Sequence, residues 1–319
     1  MKNARSLKII IAVLVVCFVM AIFAGFLYVR KDTADMRPIG VYDSGMGGLI
    51  VLETLIEEFP DEDFIFIADN ANVPYGTKES YQVEGYNLVL SDYLMDQGVK
   101  AICIACNTAS ANSSELDKIV MVPLIKAIGP TAESAADKID PDRNNILILA
   151  TKLTTKMGVY EDELDKYYSD VPHKYFSAAT QNFVTMVEEG RYGTDESMEE
   201  VSATLEDYLD DDIDKIILGC THFPKLIPEI SALFPDASIY SAGPAMAQKL
   251  RADLGDNGLN KRDHEGSVTL ITTGDLEAFK KQTDWFKYKD RAEYKNIVLD
   301  YSKYNEQPIE EYEELQPAA

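Results

Sequence analysis

The chain is 319 residues long, with 30 lysines and arginines against 54 aspartates and glutamates, a formal net charge of −24. A surface this acidic repels nucleic acid and anionic lipid, and no local basic patch offsets it, so no nucleic-acid partner is expected. The four cysteines are too few for a disulfide framework in so long a chain, and three histidines offer no ligand cluster, so no metal is expected.

From Ile9 to Val29 the chain carries no charge. At helical rise that run can cross a hydrocarbon core of roughly 30 Å, and it outlasts the roughly 7–15 apolar residues of a signal peptide. The expectation is a single-pass membrane protein with a retained helix at 9–29. Lys2, Arg5 and Lys8 lie before the run and Arg30, Lys31 and Arg37 after it; the short tail is placed in the cytoplasm and the globular part outside. Residues 1–36 are thus tail, anchor and linker.

Pro38 to Tyr42 reads as a short strand that delivers Asp43-Ser44-Gly45-Met46-Gly47-Gly48 into a glycine-rich turn. Leu52, Leu55, Ile56 and Phe59 then recur at helical spacing, and Pro60 stops the element. Phe64 to Ala68 is a second strand, ending at Asp69 and the loop from Asn72 to Thr77, and a helix covers about 81–97. A third strand, Lys100 to Ala105, runs into Cys106-Asn107-Thr108-Ala109. Strand and helix in alternation predict a parallel sheet with helices on its faces, whose ligand site lies beyond the carboxyl ends of the strands. Asp43, Asp69 and Cys106 fall there.

A second round repeats the outline. Ile146 to Ala150 leads into Thr151, with Tyr160 in the next helix; Met198, Val201, Leu205 and Tyr208 form an amphipathic stripe. Lys215 to Gly219 then runs into Cys220-Thr221-His222-Phe223-Pro224, so Cys106 and Cys220 hold equivalent places. Ser241 to Pro244 opens a further helix, and Ser267 to Thr272 reads as a strand. From about Tyr301 the chain becomes an acidic, aperiodic tail, read as solvated and disordered over 301–319.

Cys17 and Cys103 read as small buried hydrophobes. Cys106 and Cys220 sit at helix starts, where unpaired N–H groups and the helix dipole lower a thiol pKa. Two thiols across a cleft can form a redox disulfide, act as nucleophile and spectator, or serve as opposed acid and base. The last arrangement suits inversion of a carbon that bears a hydrogen, with Asp43 and His222 as the respective proton partners. Ser44, Asn107, Thr108 and Thr221, with backbone amides, are suitable donors for the dianion-like transition state. The glycine-rich turn lacks both the lysine of a P-loop and the Gly-x-Gly-x-x-Gly spacing of a dinucleotide site.

Asp43-Ser44-Gly45-x-Gly47-Gly48, Pro74-Tyr75-Gly76, Cys106-Asn107-Thr108-Ala109 and Gly219-Cys220-Thr221-His222-Phe223-Pro224 resemble, in order, the motifs of the glutamate racemases. The resemblance runs from about residue 38 to 279. It implies an isomerase without a cofactor, built from two similar parallel-sheet α/β domains with the active site in the cleft between them. It implies that Cys106 and Cys220 exchange protons with L- and D-glutamate, assisted by Asp43 and His222. Ser44, Pro74, Tyr75, Gly76, Asn107, Thr108 and Thr221 would line the substrate pocket, and Glu188 matches a further acid near the site. On this likeness 37–132 plus 241–300 form the first domain and 133–240 the second. A homodimer is a further expectation, and supply of D-glutamate for the cell wall is a less obvious role for a domain placed outside the membrane.

His222 and Tyr75 favour glutamate over aspartate, since related aspartate racemases tend to carry Glu after Cys-Thr and to lack Pro-Tyr-Gly. Thr180-Gln181 stands where a Cys-Pro pair is usual, Lys126 and Ala150 where glycine is usual, and Tyr240 where an acid commonly precedes the serine. The alternatives are a racemase of broader or aspartate-like specificity and a non-catalytic, membrane-tethered binding protein for acidic amino acids.

Overall fold

The computed structural model describes residues 35–260 and 264–302, together with Met20. Five parallel pairings join β1 (Ile39–Asp43), β2 (Phe64–Ala68), β3 (Ala101–Ile104), β4 (Leu124–Lys126), β9 (Val268–Thr272) and β10 (Ala292–Asn296) into one sheet, ordered β10-β9-β2-β1-β3-β4. The remaining strands, β5 (Asn145–Ala150), β6 (Lys174–Ala179), β7 (Lys215–Gly219) and β8 (Ser238–Ser241), form a second parallel sheet ordered β6-β5-β7-β8. The chain leaves the first sheet after β4, completes the second, and returns to the first with β9 and β10.

Strands covered on both faces must be apolar throughout, and β1, β3 and β7 are buried at every residue. Their alternation splits the core. Val41, Phe66 and Cys103 face the helices Gly48–Glu58 and Ala242–Gly258, joining Leu49, Leu52, Met246 and Leu250. Tyr42, Ile67, Ile102 and Ile104 face the helix Ser80–Asp96 through Val83, Leu90 and Leu94. Each such leucine or phenylalanine contributes roughly 1.5–3 kcal/mol when fully buried, enough for these faces to fix the strand ends that carry the site. Cys103 is part of this core, as its place within the strand suggests.

The single-pass membrane placement is corrected here. The longest described helices have 17 residues and mix apolar with polar positions, and among the described residues no helix is long and apolar enough to cross a membrane. Cys17 and the run 9–29, apart from Met20, lie outside the described residues. A second correction concerns the start of the acidic tail. Tyr301 is buried, because its ring meets Tyr86 on the helix Ser80–Asp96 and its hydroxyl donates to Asp69 just past β2; residues 303–319 lie outside the described ones.

One buried ion pair fastens three segments. Lys100 Nζ lies 2.7 Å from Glu62 Oε2 with both side chains shielded from solvent, and it donates to the carbonyls of Asp35 at 2.7 Å and Gly258 at 2.8 Å. The Asn260 N–H donates to Glu62 Oε1 at 2.7 Å. Lys100→Met leaves the carboxylate buried without its counter-charge, so we expect a loss of about 3–5 kcal/mol in unfolding free energy by urea titration. A loss below about 1 kcal/mol, the range of an exposed pair, would show that the pair is not a fastening.

Candidate active site

The carboxyl ends of both sheets meet. Asp43 closes β1 opposite Ala68 of β2, and Tyr42 pairs with Ile104 of β3, so Asp43 and Cys106 emerge on neighbouring strands. Cys106 caps the short helix Asn107–Ala111, where the Ala109 N–H donates to its Sγ at 3.4 Å. In the second sheet Ala150 pairs with Gly219, so Thr151 and Cys220 emerge side by side.

Glycine is required where these ends touch. A Cβ on Gly48 would lie 2.3 Å from Asp43 Cβ, and one on Gly47 would lie 2.4 Å from His222 Cε1 and 2.5 Å from Thr221 Oγ1. The turn of the first sheet thus rests directly on the Cys220-Thr221-His222 segment of the second. Thr221 Oγ1 donates to Asp43 Oδ1 at 3.4 Å across this contact, and the Gly45 N–H donates to Asp43 Oδ2 at 3.0 Å. Burial raises the Asp43 carboxyl above the usual carboxylate range, against the opposing pull of the His222 charge and the Gly45 and Gly48 amides.

The two thiols differ in their surroundings. Cys106 Sγ donates to Ser44 Oγ at 3.7 Å; burial, and then the charge of Asp43, push this thiol up to about 12, so it holds its proton at neutral pH. Cys220 Sγ stands 3.7 Å from His222 Nδ1, and Glu188 Oε1 stands 3.2 Å from His222 Nε2. Burial alone would lower the His222 pKa, but the contacts with Cys220 and Glu188 outweigh it and carry the ring up to about 10. A protonated imidazole therefore sits beside one sulfur and a protonated thiol beside the carboxylate.

Ser44, Pro74, Tyr75, Gly76, Cys106, Asn107, Thr108, Glu188, Cys220, Thr221 and His222 all line one cavity between the sheets. Asp43, fully buried, lies behind its wall and reaches it through Thr221. The cavity measures about 30 Å³, room for a water or two, so admitting an amino acid requires its lining to move outward. Tyr160 OH donates to Asn107 Oδ1 at 2.5 Å, and Asn107 Nδ2 is buried with no hydrogen-bond partner among the described residues. An unpaired amide N–H₂ of this kind suits a carboxylate ligand. A larger cavity of about 430 Å³ opens between Ser110–Lys126 and Val159–Glu163, but neither of these thiols, nor Asp43 nor His222, lines it.

Beyond the expected site residues, Val73, Thr151, Gln181, Val184 and Gly219 also line the cavity, and Tyr160 orients Asn107. Thr151 Oγ1 and Thr154 Oγ1 lie 2.9 and 3.1 Å from Thr108 Oγ1, closing a triad across the cleft. The rule that directs attention to strand ends would have found Thr151, which follows β5 as Cys220 follows β7.

The chain is similar in sequence and fold to known proteins. Residues 47–250 match the family model described as Asp/Glu/Hydantoin racemase. A glutamate racemase of Limosilactobacillus reuteri is 36% identical over 246 residues, 76% of this chain and 90% of that protein. The crystal structure of glutamate racemase from Thermus thermophilus, in complex with beta-chloro-D-alanine, superposes with a TM-score of 0.74 at 32% identity, covering 84% of this chain and 100% of that one. The glutamate racemase of Francisella tularensis, in complex with D-glutamate, gives a TM-score of 0.73 at 27% identity over 85% of this chain and 100% of that one.

Proposed function

Because the chain belongs to the Asp/Glu/Hydantoin racemase family and stands among its glutamate racemases, we propose that it interconverts L- and D-glutamate, without a cofactor, through two cysteines. The observation that carries the two-base reading is that Cys106 and Cys220 line one cavity from opposite sheets, each with its own titratable neighbour, Asp43 for Cys106 and His222 for Cys220.

In one direction the sulfur of one cysteine, as thiolate, takes the α-hydrogen of glutamate as a proton. The electron pair of the broken C–H bond moves into the α-carboxylate, giving a dianion. The other cysteine, as thiol, delivers its proton to the opposite face of the α-carbon and becomes the thiolate. The product leaves the two cysteines with their states exchanged, so the reverse reaction starts from that state. Asp43 and His222 redistribute these protons, and the raised carboxyl of Asp43 makes it a better proton acceptor than an exposed aspartate.

Stabilising the dianion falls to groups that are already placed. Asn107 Nδ2 presents an unpaired donor, the Thr108, Thr151 and Thr154 hydroxyls form a fixed cluster, and His222 supplies the one positive charge among them. Preorganised donors in a water-poor cavity are worth more than the same groups in water. Glutamate is favoured as substrate by the His222 and Tyr75 motifs and by the relatives' own substrate.

The test is to incubate the full chain with L-glutamate in D2O without pyridoxal phosphate. D-glutamate and α-deuterium should appear together, faster than with aspartate. If neither amino acid exchanges its α-hydrogen, the protein is a binder and the enzyme reading fails.

A further inference from the structure

Asp69, directly after β2, is fully buried and gathers donors from three separate parts of the chain. Its Oδ2 accepts from Tyr75 OH at 2.5 Å and Asn72 Nδ2 at 3.0 Å, both on the loop that forms the rim of the cavity. Its Oδ1 accepts from Thr273 Oγ1, just past β9, and from Tyr301 OH, each at 2.7 Å. Burial, and then the charge of Asp69, raise both phenols and keep them protonated as donors.

Tyr301 reaches this carboxylate on an extended strap. The Ile297 N–H donates to the Thr272 carbonyl at 3.0 Å; Ile297 and Leu299 pack against the Tyr42 face of the first sheet while Val298 is 92% exposed. This alternation turns every second residue inward and ends on Tyr301. There the Tyr301 ring meets Tyr86 edge-on at 5.4 Å, and Tyr86 lies 5.3 Å from the ring of Tyr75. Tyr75 is therefore held twice, its hydroxyl by Asp69 and its ring by Tyr86, and Tyr301 braces both holders. The Tyr75 backbone in turn opens the tight turn Tyr75–Thr77, and a Cβ on the next residue, Gly76, would lie 2.8 Å from Thr151 Cβ across the cleft.

We propose that Tyr301 is a positioning residue for the substrate, setting the Pro74–Gly76 rim of the cavity through Asp69 and Tyr75; its kinetic consequence rests on the racemase reading given above. Tyr301 touches neither thiol, so its effect falls on substrate binding before and during the reaction alike, and not on proton transfer.

The full chain and its Tyr301→Phe variant separate the possibilities, because the substitution removes one hydroxyl and keeps the ring against Tyr86. KM for L-glutamate should rise roughly tenfold, the scale of one charge-assisted hydrogen bond, with kcat within about twofold. Amide hydrogen exchange over 72–77 should quicken while exchange over 215–222 stays as in the parent. Unchanged exchange over 72–77 overturns the proposal, and so does faster exchange with an unchanged KM, which would mark Tyr301 as a structural plug. If the parent itself turns over neither glutamate nor aspartate, the racemase reading falls, and exchange over 72–77 alone decides whether Tyr301 holds the rim.

Discussion

Cys106→Ala and Cys220→Ala should each fold as the parent does and each lose at least about 10³-fold in the rate of L- to D-glutamate conversion. In the proposed mechanism each thiol is the group that exchanges a proton with the α-carbon from its own side of the cavity. Removing it leaves a carbanion-like species that can be reprotonated only from the face it came from. The loss corresponds to about 4 kcal/mol of transition-state stabilisation. Two finer outcomes distinguish opposed bases from one base and a spectator. Residual α-deuterium exchange should survive for one enantiomer only, and for opposite enantiomers in the two variants. The double variant should be little slower than either single one, because groups that act as a unit are not additive. Serine in place of either cysteine should rescue little, since a hydroxyl holds its proton far more tightly than a thiol. Racemisation by either alanine variant within about tenfold of the parent rate would remove that cysteine from the mechanism.

The legibility of this site in the sequence follows from where it sits. The central strands β1, β2, β3, β5 and β7 are covered on both faces, so they stand out as unbroken apolar runs, and the motifs lie at their ends. The edges are less visible. Lys174–Ala179 alternates half-buried and buried positions between two exposed ends, and Ala292–Asn296 has no fully buried residue; such strands wet on one side carry too few apolar residues to be told from loops. Cys106 and Cys220 could be paired from sequence because each is embedded in several motif residues. Gln181 and Val184 are single side chains on the helix Gln181–Glu188, and nothing local marks them as facing a cavity. The link from Asp69 to Tyr301 spans 232 positions, and composition points the wrong way there, since the acidic residues after Tyr301 make the whole segment look solvated. Only the register of β9 and β10 brings it home.

His222→Asn should lower kcat near neutral pH by about 10²-fold and erase the alkaline limb of the pH profile. The sign follows from the direction of the shift. A histidine whose pKa is raised from 6.5 to about 10 in the folded protein keeps its charge there until pH nears 10, and the stability it contributes, full below about 6.5, is lost as pH rises from about 6.5 through about 10. The parent should therefore show kcat/KM falling as pH approaches 10, while thermal stability declines already from about pH 6.5 up to about 10. In His222→Asn both dependences should flatten, because asparagine keeps a polar neighbour for Cys220 without a proton to lose. Cys106, at about 12, titrates above this window and does not mask it. Asp43, raised from the acid side, acts on the opposite limb. Glu188 provides an internal check: it stands 3.2 Å from His222 Nε2, so Glu188→Gln removes one of the contacts that raise the ring and should draw the alkaline limb towards neutral pH without abolishing it. An alkaline limb that persists unshifted in both variants would assign it to another group and leave His222 without a role in moving the proton of Cys220.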